Sequence, residues 1–350
     1  MNTRRDSAFS LIEVMVATAM LVLLTALLLG ATEHSGRVLQ QTSGRIEQFR
    51  EARQAHESIT RRVAEATLNT YWDYTYRTEG TAKIPTAYTR QSELRFRSGL
   101  MESLAPESAL HRPTHGVFFQ APAGEVEVTE HRALDQALNT WGFFVEIGSD
   151  EEWMPNFLKG HVPPRVRSRL FELREPTESL SIYQPIAGKP YWWFAEAIRP
   201  APARPARVLA ENVMALVILP RLARADEVER GTKPPLSPNY EYDSTLNSVD
   251  ADINPKNQLP PVLQVVMVAV DEPSAQRLAE KYAGTRDLGV KTDDLFKKSQ
   301  LLEDDPATSE AGDGDLHTLE KRLITEHANY RVFSTNVAIR GAKWSRAQTN

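Results

Sequence analysis

The longest apolar pattern lies at the start of the chain. Between positions 14 and 31 about 18 residues carry no charge, enough for a helix to cover roughly 27 Å of a ~30 Å hydrocarbon core. Helical spacing continues beyond it, and no proline occurs before Pro85. Ile46, Phe49, Ala52, Ala55, Ile59, Val63 and Ala66 recur at steps of three and four, which makes one apolar stripe. Arg45, Glu47, Arg50, Glu51, Arg53, Glu57, Arg61 and Arg62 fill the opposite face. The pattern predicts one helix from near Phe9 to about Leu68, roughly 90 Å long at 1.5 Å per residue. Its charged face reads by default as solvated, with a coiled-coil seam or a subunit contact as alternatives. Gly30, Gly36 and Gly44 interrupt it, each at a cost of about 1 kcal/mol relative to alanine.

After Asn69 the texture changes to short alternating runs between turn residues, a β pattern. Positions 93–97 and 125–129 alternate, and 116–120 and 141–147 read as half-buried strands. Prolines at 163–164 and between 200 and 205 mark connections. A strand is expected from about Val213 to Leu219, followed by a long polar loop over 223–259. Positions 260–270 give the clearest strand in the chain. Helices are expected over 274–283, with Ser274 as N-cap, and over 316–328, with a terminal strand at 331–339. The acidic stretch 301–315 reads as a mobile loop.

Composition changes this picture little. A chain of 350 residues is long enough for one large domain or two small ones, and it has no cysteine. The net charge of -5 gives no nucleic-acid footprint, so no nucleic-acid partner is expected. Arg4 and Arg5 precede the apolar run, which by the positive-inside rule puts the N-terminus in the cytoplasm and everything after Ala31 outside. A cleavable secretory signal has a shorter apolar region, and positions 28–31 make a poor cut site for one.

The residues at the head of the run are the most informative. Ala8 is followed by Phe9-Ser10-Leu11-Ile12-Glu13, so a single acid opens an otherwise greasy helix. A carboxylate at the centre of a membrane helix costs roughly 2.5–3.5 kcal/mol, less near an end, and calls for a partner. This stretch resembles the processing motif of the type IV pilin-like proteins, with Ala8 where the family usually has glycine. The resemblance implies cleavage by a prepilin peptidase between Ala8 and Phe9, with N-methylation of the new Phe9 amine. It also implies that Glu13 of one subunit meets the Phe9 amine of a neighbour when the helices stack in a filament. The plainer alternative is a signal anchor whose Glu13 snorkels to the interface. Gly30 falls where many major pilins carry a helix-kinking proline, which implies a bend there; a small residue at a helix contact is the alternative.

A looser resemblance covers the C-terminal part. Asn212-Val213, Leu259-Pro260-Pro261-Val262 and Phe333-Ser334-Thr335 with Val337 and Arg340 follow the order of elements in minor pilins of the J and W type. The ending from Tyr330 to Lys343 is similar to the pilin-like subunits called Verru_Chthon cassette protein C. Positions 70–200 carry no such motif.

Other chemistry is sparse. There is no glycine-rich phosphate loop, zinc helix or nucleophile elbow. His111 and His115 are separated by Pro113, which breaks the helix that would align them as metal ligands. Asp250, Asp252 and Asn254 have calcium-loop spacing, but Pro255 replaces the required glycine, so an EF-hand is excluded. A looser calcium site there or at Asp313 and Asp315 competes with solvated turns. Trp72, Tyr74 and Tyr76, and the cluster at 191–194, read as core packing in preference to a ligand or partner patch.

The expectation is therefore an α+β, pilin-like chain. Residues 1–8 form a leader, 9–31 a transmembrane or filament-core helix, 32–69 an amphipathic extracytoplasmic helix, and 70–350 a head built mainly of antiparallel sheet on that helix. It would be a non-enzymatic, single-pass inner-membrane protein with its head periplasmic or in an extracellular filament. It would need no cofactor or metal. Its partners would be the prepilin peptidase, other pilin-like subunits and the inner membrane, as a minor pilin or pseudopilin of a type II secretion or type IV pilus-like machine. The alternative is a membrane-anchored binding module or enzyme that uses the segment only as an anchor.

Overall fold

The computed structural model describes residues 11–106, 110–151, 154–199, 204–231, 233–247, 253–283, 285, 287–304 and 314–345. The chain divides into two compact units, Met1–Gln48 and Phe49–Asn350. Six helices are described: α1 (Leu11–Ala64), α2 (Met101–Leu104), α3 (Trp192–Ala195), α4 (Arg224–Arg230), α5 (Glu272–Lys281) and α6 (Asp315–Thr325). Strands β1 (Tyr71–Glu79), β2 (Ala82–Gln91), β3 (Arg97–Leu100), β4 (His115–Pro122), β5 (Leu138–Ser149) and β6 (Val166–Glu175) come first. They are followed by β7 (Ala206–Glu211), β8 (Val213–Arg221), β9 (Tyr242–Asp243), β10 (Val262–Val270) and β11 (Tyr330–Ala338).

Among the described residues these strands make three antiparallel sheets, ordered β1-β2, β11-β10-β8 and β7-β6-β5-β4-β3-β9. The expected fold class is thereby corrected. The described residues of the second unit are mainly β, in three separate sheets, and α2 to α6 are all short. The membrane placement is corrected as well. Among the described residues no helix is long and apolar enough to cross a membrane. The exposed apolar side chains described on α1, from Leu11 to Leu24, extend about 20 Å along a helix, against the ~30 Å of a hydrocarbon core. The transmembrane first half and the single-pass inner-membrane location fall with that finding.

Within the second unit, the last turns of α1 bury the predicted stripe. Ala52, Ala55, Ile59 and Val63 are almost inaccessible and share a core with Val117, Phe119, Phe143 and Val145 of the six-stranded sheet. Leu216, Ile218, Val265 and Met267 of the three-stranded sheet complete it. The other face of β8 and β10, including Val217, Val266 and Val268, packs on Leu278 of α5 and on Leu319 and Leu323 of α6. The other face of the six-stranded sheet packs Phe118, Phe144 and Phe171 against Trp193 and Phe194 of α3. Burial on both faces explains why β8 and β10 read as nearly unbroken apolar runs. For the same reason positions 116–120 and 141–147 are fully buried and not half-buried.

Several local expectations differ from the structure, most of them where side chains take the backbone amides. Positions 93–96 are not strand, because their amides are taken by side chains. Asn69 Oδ1 accepts from Glu93 and Leu94, Gln120 Oε1 from Arg95, and Ser244 Oγ from Phe96. At 125–129 the Glu125 amide goes to Asn139 Oδ1, and those of Glu127 and Val128 go to Glu178. The N-cap of α5 is Asp271, whose side chain accepts from the Ser274 amide, and not Ser274 itself. The stretch 223–259 contains α4 and β9 and buries Tyr240 and Tyr242.

β8 is an edge strand of its sheet, yet its outer ladder is occupied. The Leu216 amide donates to Thr114 Oγ1 at 3.2 Å and the Ile218 amide to His115 Nδ1 at 3.0 Å. With Nδ1 accepting, the proton sits on Nε2, which donates to the Phe296 carbonyl at 2.9 Å. Complete burial pushes the His115 pKa down to about 4.

Candidate functional site

Ala8 and Phe9 lie outside the described residues. Glu13 is the third residue of α1, and Gly30 lies inside the same helix. In the first unit, Leu11, Ile12, Met15, Val16, Met20, Leu21, Val22, Leu23 and Leu24 are all at least 54% exposed. Nine large apolar side chains between Leu11 and Leu24, open to solvent, exceed the scattered exposure of an ordinary surface. Thr18 and Thr25 turn their hydroxyls back to the carbonyls of Met15 and Leu21, which removes two polar groups from that surface.

The second unit has an exposed aromatic surface that sequence reasoning assigned to the core. β1 and β2 form a two-stranded ribbon with no buried position in either strand. Gly80 has φ of +62°, the left-handed geometry that a two-residue hairpin turn requires. Tyr71, Trp72, Tyr74, Tyr76, Ile84 and Tyr88 are between 37% and 53% exposed. Tyr74 stands opposite Tyr88, and Trp72 opposite Arg90. Ring centroids are 5.0 Å apart for Tyr74 and Tyr88, and 5.8 Å for the stacked Trp72 and Tyr88. The Arg90 guanidinium lies over Trp72 at 5.6 Å. At the base of the ribbon Arg90 Nη1 donates to Gln258 Oε1 at 2.7 Å, and Asn257 Nδ2 donates to the Arg90 carbonyl at 2.6 Å. The root is tied to the body while the rings stay in solvent. A sign of this was present in the sequence, since positions 82–91 hold only Ile84 and Tyr88 as large apolar residues, too few for a core strand. By contrast, Trp192, Trp193 and Phe194 are core, as expected.

The remaining polar constellations are spent internally. His111 and His115 part company: the first meets Asp293 at 2.9 Å, and the second holds the edge of β8. Asp250, Asp252 and Asp313 lie outside the described residues. Asn254 Oδ1 accepts from the Lys256 amide, and Asp315 Oδ2 from the Phe296 amide. Among the described residues no group of three or more His, Asp or Glu is placed to hold a metal ion. A cleft of about 430 Å³ lies between the ends of β8 and β10 and residues 299–304. Its Arg221 is held by Glu227 at 2.8 and 3.0 Å and by Gln264 at 3.2 Å, and Gln264 in turn donates to Glu303. Buried Glu146 accepts from Arg112 at 3.1 Å and from Arg204 at 3.0 and 3.1 Å. Those guanidiniums lie over Phe144 and Phe171, so this cluster is part of the packing.

Among the described residues two uncovered surfaces are rich in apolar and aromatic side chains, the row Leu11–Leu24 of α1 and the ribbon β1–β2. No family model matches the chain, and neither a curated protein nor a solved structure matches it.

Proposed function

We propose that the chain is an assembly subunit of a filament of the type IV pilin-like kind, as in a type II secretion or type IV pilus-like machine. A prepilin peptidase cuts it between Ala8 and Phe9, and the new Phe9 amine is methylated. The amine, with an ordinary pKa of about 7.7–8, is largely cationic at neutral pH. Glu13 of a neighbouring subunit is its counter-charge in the packed helices, so that neither charge is buried alone. The observation that carries this reading is the row of uncovered apolar side chains from Leu11 to Leu24, which begins within the motif at 8–13 and continues beyond it.

N-terminal sequencing of the mature protein, co-expressed with a prepilin peptidase, tests it. A mature chain beginning at a methylated Phe9 is expected. Glu13→Ala should leave the second unit folded and abolish co-assembly with the native chain. A first residue other than Phe9, together with unchanged assembly of Glu13→Ala, overturns the proposal.

A further inference from the structure

We propose that the ring-bearing face of the ribbon β1–β2 binds single-stranded nucleic acid. This function is independent of the assembly reading above, because the second unit alone takes part in it. Side chains alternate along a strand, so the register sorts the ribbon into two unlike faces. Trp72, Tyr74 and Tyr76 of β1 share one face with Tyr88 and Arg90 of β2. The contacts of Tyr88 with Trp72 and Tyr74, and of Arg90 with Trp72, fix that assignment. Past the irregularity at Thr75 and Tyr76, Pro85 stands opposite Tyr76, and Lys83 stands opposite Thr78 at the tip of the same face.

The opposite face takes Asp73, Arg77 and Glu79, so both carboxylates of the ribbon lie away from the rings. Both are also engaged. Asp73 Oδ1 accepts from the Tyr74 amide at 2.7 Å, and Glu79 is paired with Arg77 at 2.6 Å. At the root, Glu93 accepts from Asn69 Nδ2 at 3.1 Å, and the carbonyl of the exposed Lys343 accepts from Arg90 at 3.1 Å. The ring face of the ribbon thus carries Lys83 and Arg90 and no acid, in a chain whose net charge is -5. The whole-chain charge, which argues against a nucleic-acid partner, hides this local sorting.

That combination selects the ligand. The face has no aliphatic side chain other than Pro85, so it offers flat rings and no socket for an apolar helix or for acyl chains. It also has no Asp, Glu, Asn or Gln to accept from the hydroxyls of a sugar. A single strand supplies what cations and rings can take, which is acceptor-rich phosphates and bases with open faces. Base–aromatic stacking tolerates any sequence, and an arginine at the rings adds a cation–π attraction. Rings at alternate positions follow one another at about 7 Å along β1, so Trp72, Tyr74 and Tyr76 can receive bases in succession.

Titration of the full-length chain into a fluorescein-labelled oligothymidylate, read by fluorescence anisotropy, tests the proposal. Binding that weakens as salt rises from about 50 to about 200 mM is expected, with a duplex of the same length bound more weakly. Trp72→Ala and Tyr88→Ala, each with its melting transition kept, should lose about 5- to 150-fold in affinity, the worth of one base–aromatic stack. Lys83→Gln, at the exposed tip, should lower the slope of log affinity against log salt by about 0.7, and Asp73→Asn on the other face should change nothing. The proposal is overturned if the native chain fails to bind the oligothymidylate at about 50 mM salt, or if both ring variants bind it as the native chain does. Ring-dependent binding of polygalacturonate or of phosphatidylserine vesicles, with no binding of the oligothymidylate, also overturns it and assigns the face to an acidic glycan or a membrane surface.

Discussion

β8–β10 and β1–β2 are antiparallel pairs of similar length in the same chain, and they differ in almost every other respect. The first pair is wrapped on both faces, by α1 and the six-stranded sheet on one side and by α5 and α6 on the other. Among the described residues the second has no buried position in either strand. Pairing alone therefore does not make a strand structural. What decides is whether its side chains supply enough apolar area to hold a second layer: eight of the nine residues of β10 are apolar, while β2 offers Ile84 and Tyr88 among lysine, threonine and arginine.

The sharpest way to break the contrast is to place the same charge in both pairs. Val265→Asp buries a carboxylate in the shared apolar core and is expected to cost more than about 4 kcal/mol, enough to unfold much of the population. Tyr74→Asp on the ribbon should stay within about 1 kcal/mol of the native chain, and urea titration monitored by tryptophan fluorescence reads both. Met267→Ala, which leaves a hole in the buried pair, falls between them at about 2–5 kcal/mol.

Acid supplies the next test. His115 is neutral and buried, with its folded pKa near 4 against an ordinary 6.5, so the unfolded chain binds the extra proton first. The contribution of His115 is complete above about pH 6.5 and is lost as pH falls toward 4, up to roughly 3 kcal/mol. Urea midpoints at pH 7 and pH 4.5 should show this loss. His115→Gln should lower stability at pH 7 and reduce the acid sensitivity. The smallest effect is expected on the ribbon itself. Trp72→Ala or Tyr88→Ala removes a stacked pair worth about 0.5–1.5 kcal/mol and should barely move the melting temperature of the second unit.

The same contrast explains what the sequence could disclose. The stripe Ala52, Ala55, Ile59, Val63 was legible because helical spacing is local and repeats over many residues. Positions 213–219 and 262–270 were legible because two-sided burial demands an unbroken apolar run. Positions 93–96 and 125–129 misled because alternation over five residues looks the same whether an amide meets a neighbouring strand or the side chain of Asn69, Asn139 or Glu178. Those side chains come from 14 to 51 positions away, beyond any local pattern. The rings at 72, 74 and 76 have the aromatic character of core residues, and only the polar makeup of the facing strand β2 marks them as exposed.

The stitching of β8 by Thr114 and His115 has one more consequence. Two side chains stand where a neighbouring strand would otherwise add itself, so the β8 edge of the three-stranded sheet is denied as a template for fibre growth. Protonation of His115 takes away the acceptor at Nδ1 and frees the Ile218 amide. As pH falls through about 4 the stitch at β8 opens, and thioflavin binding is expected to rise.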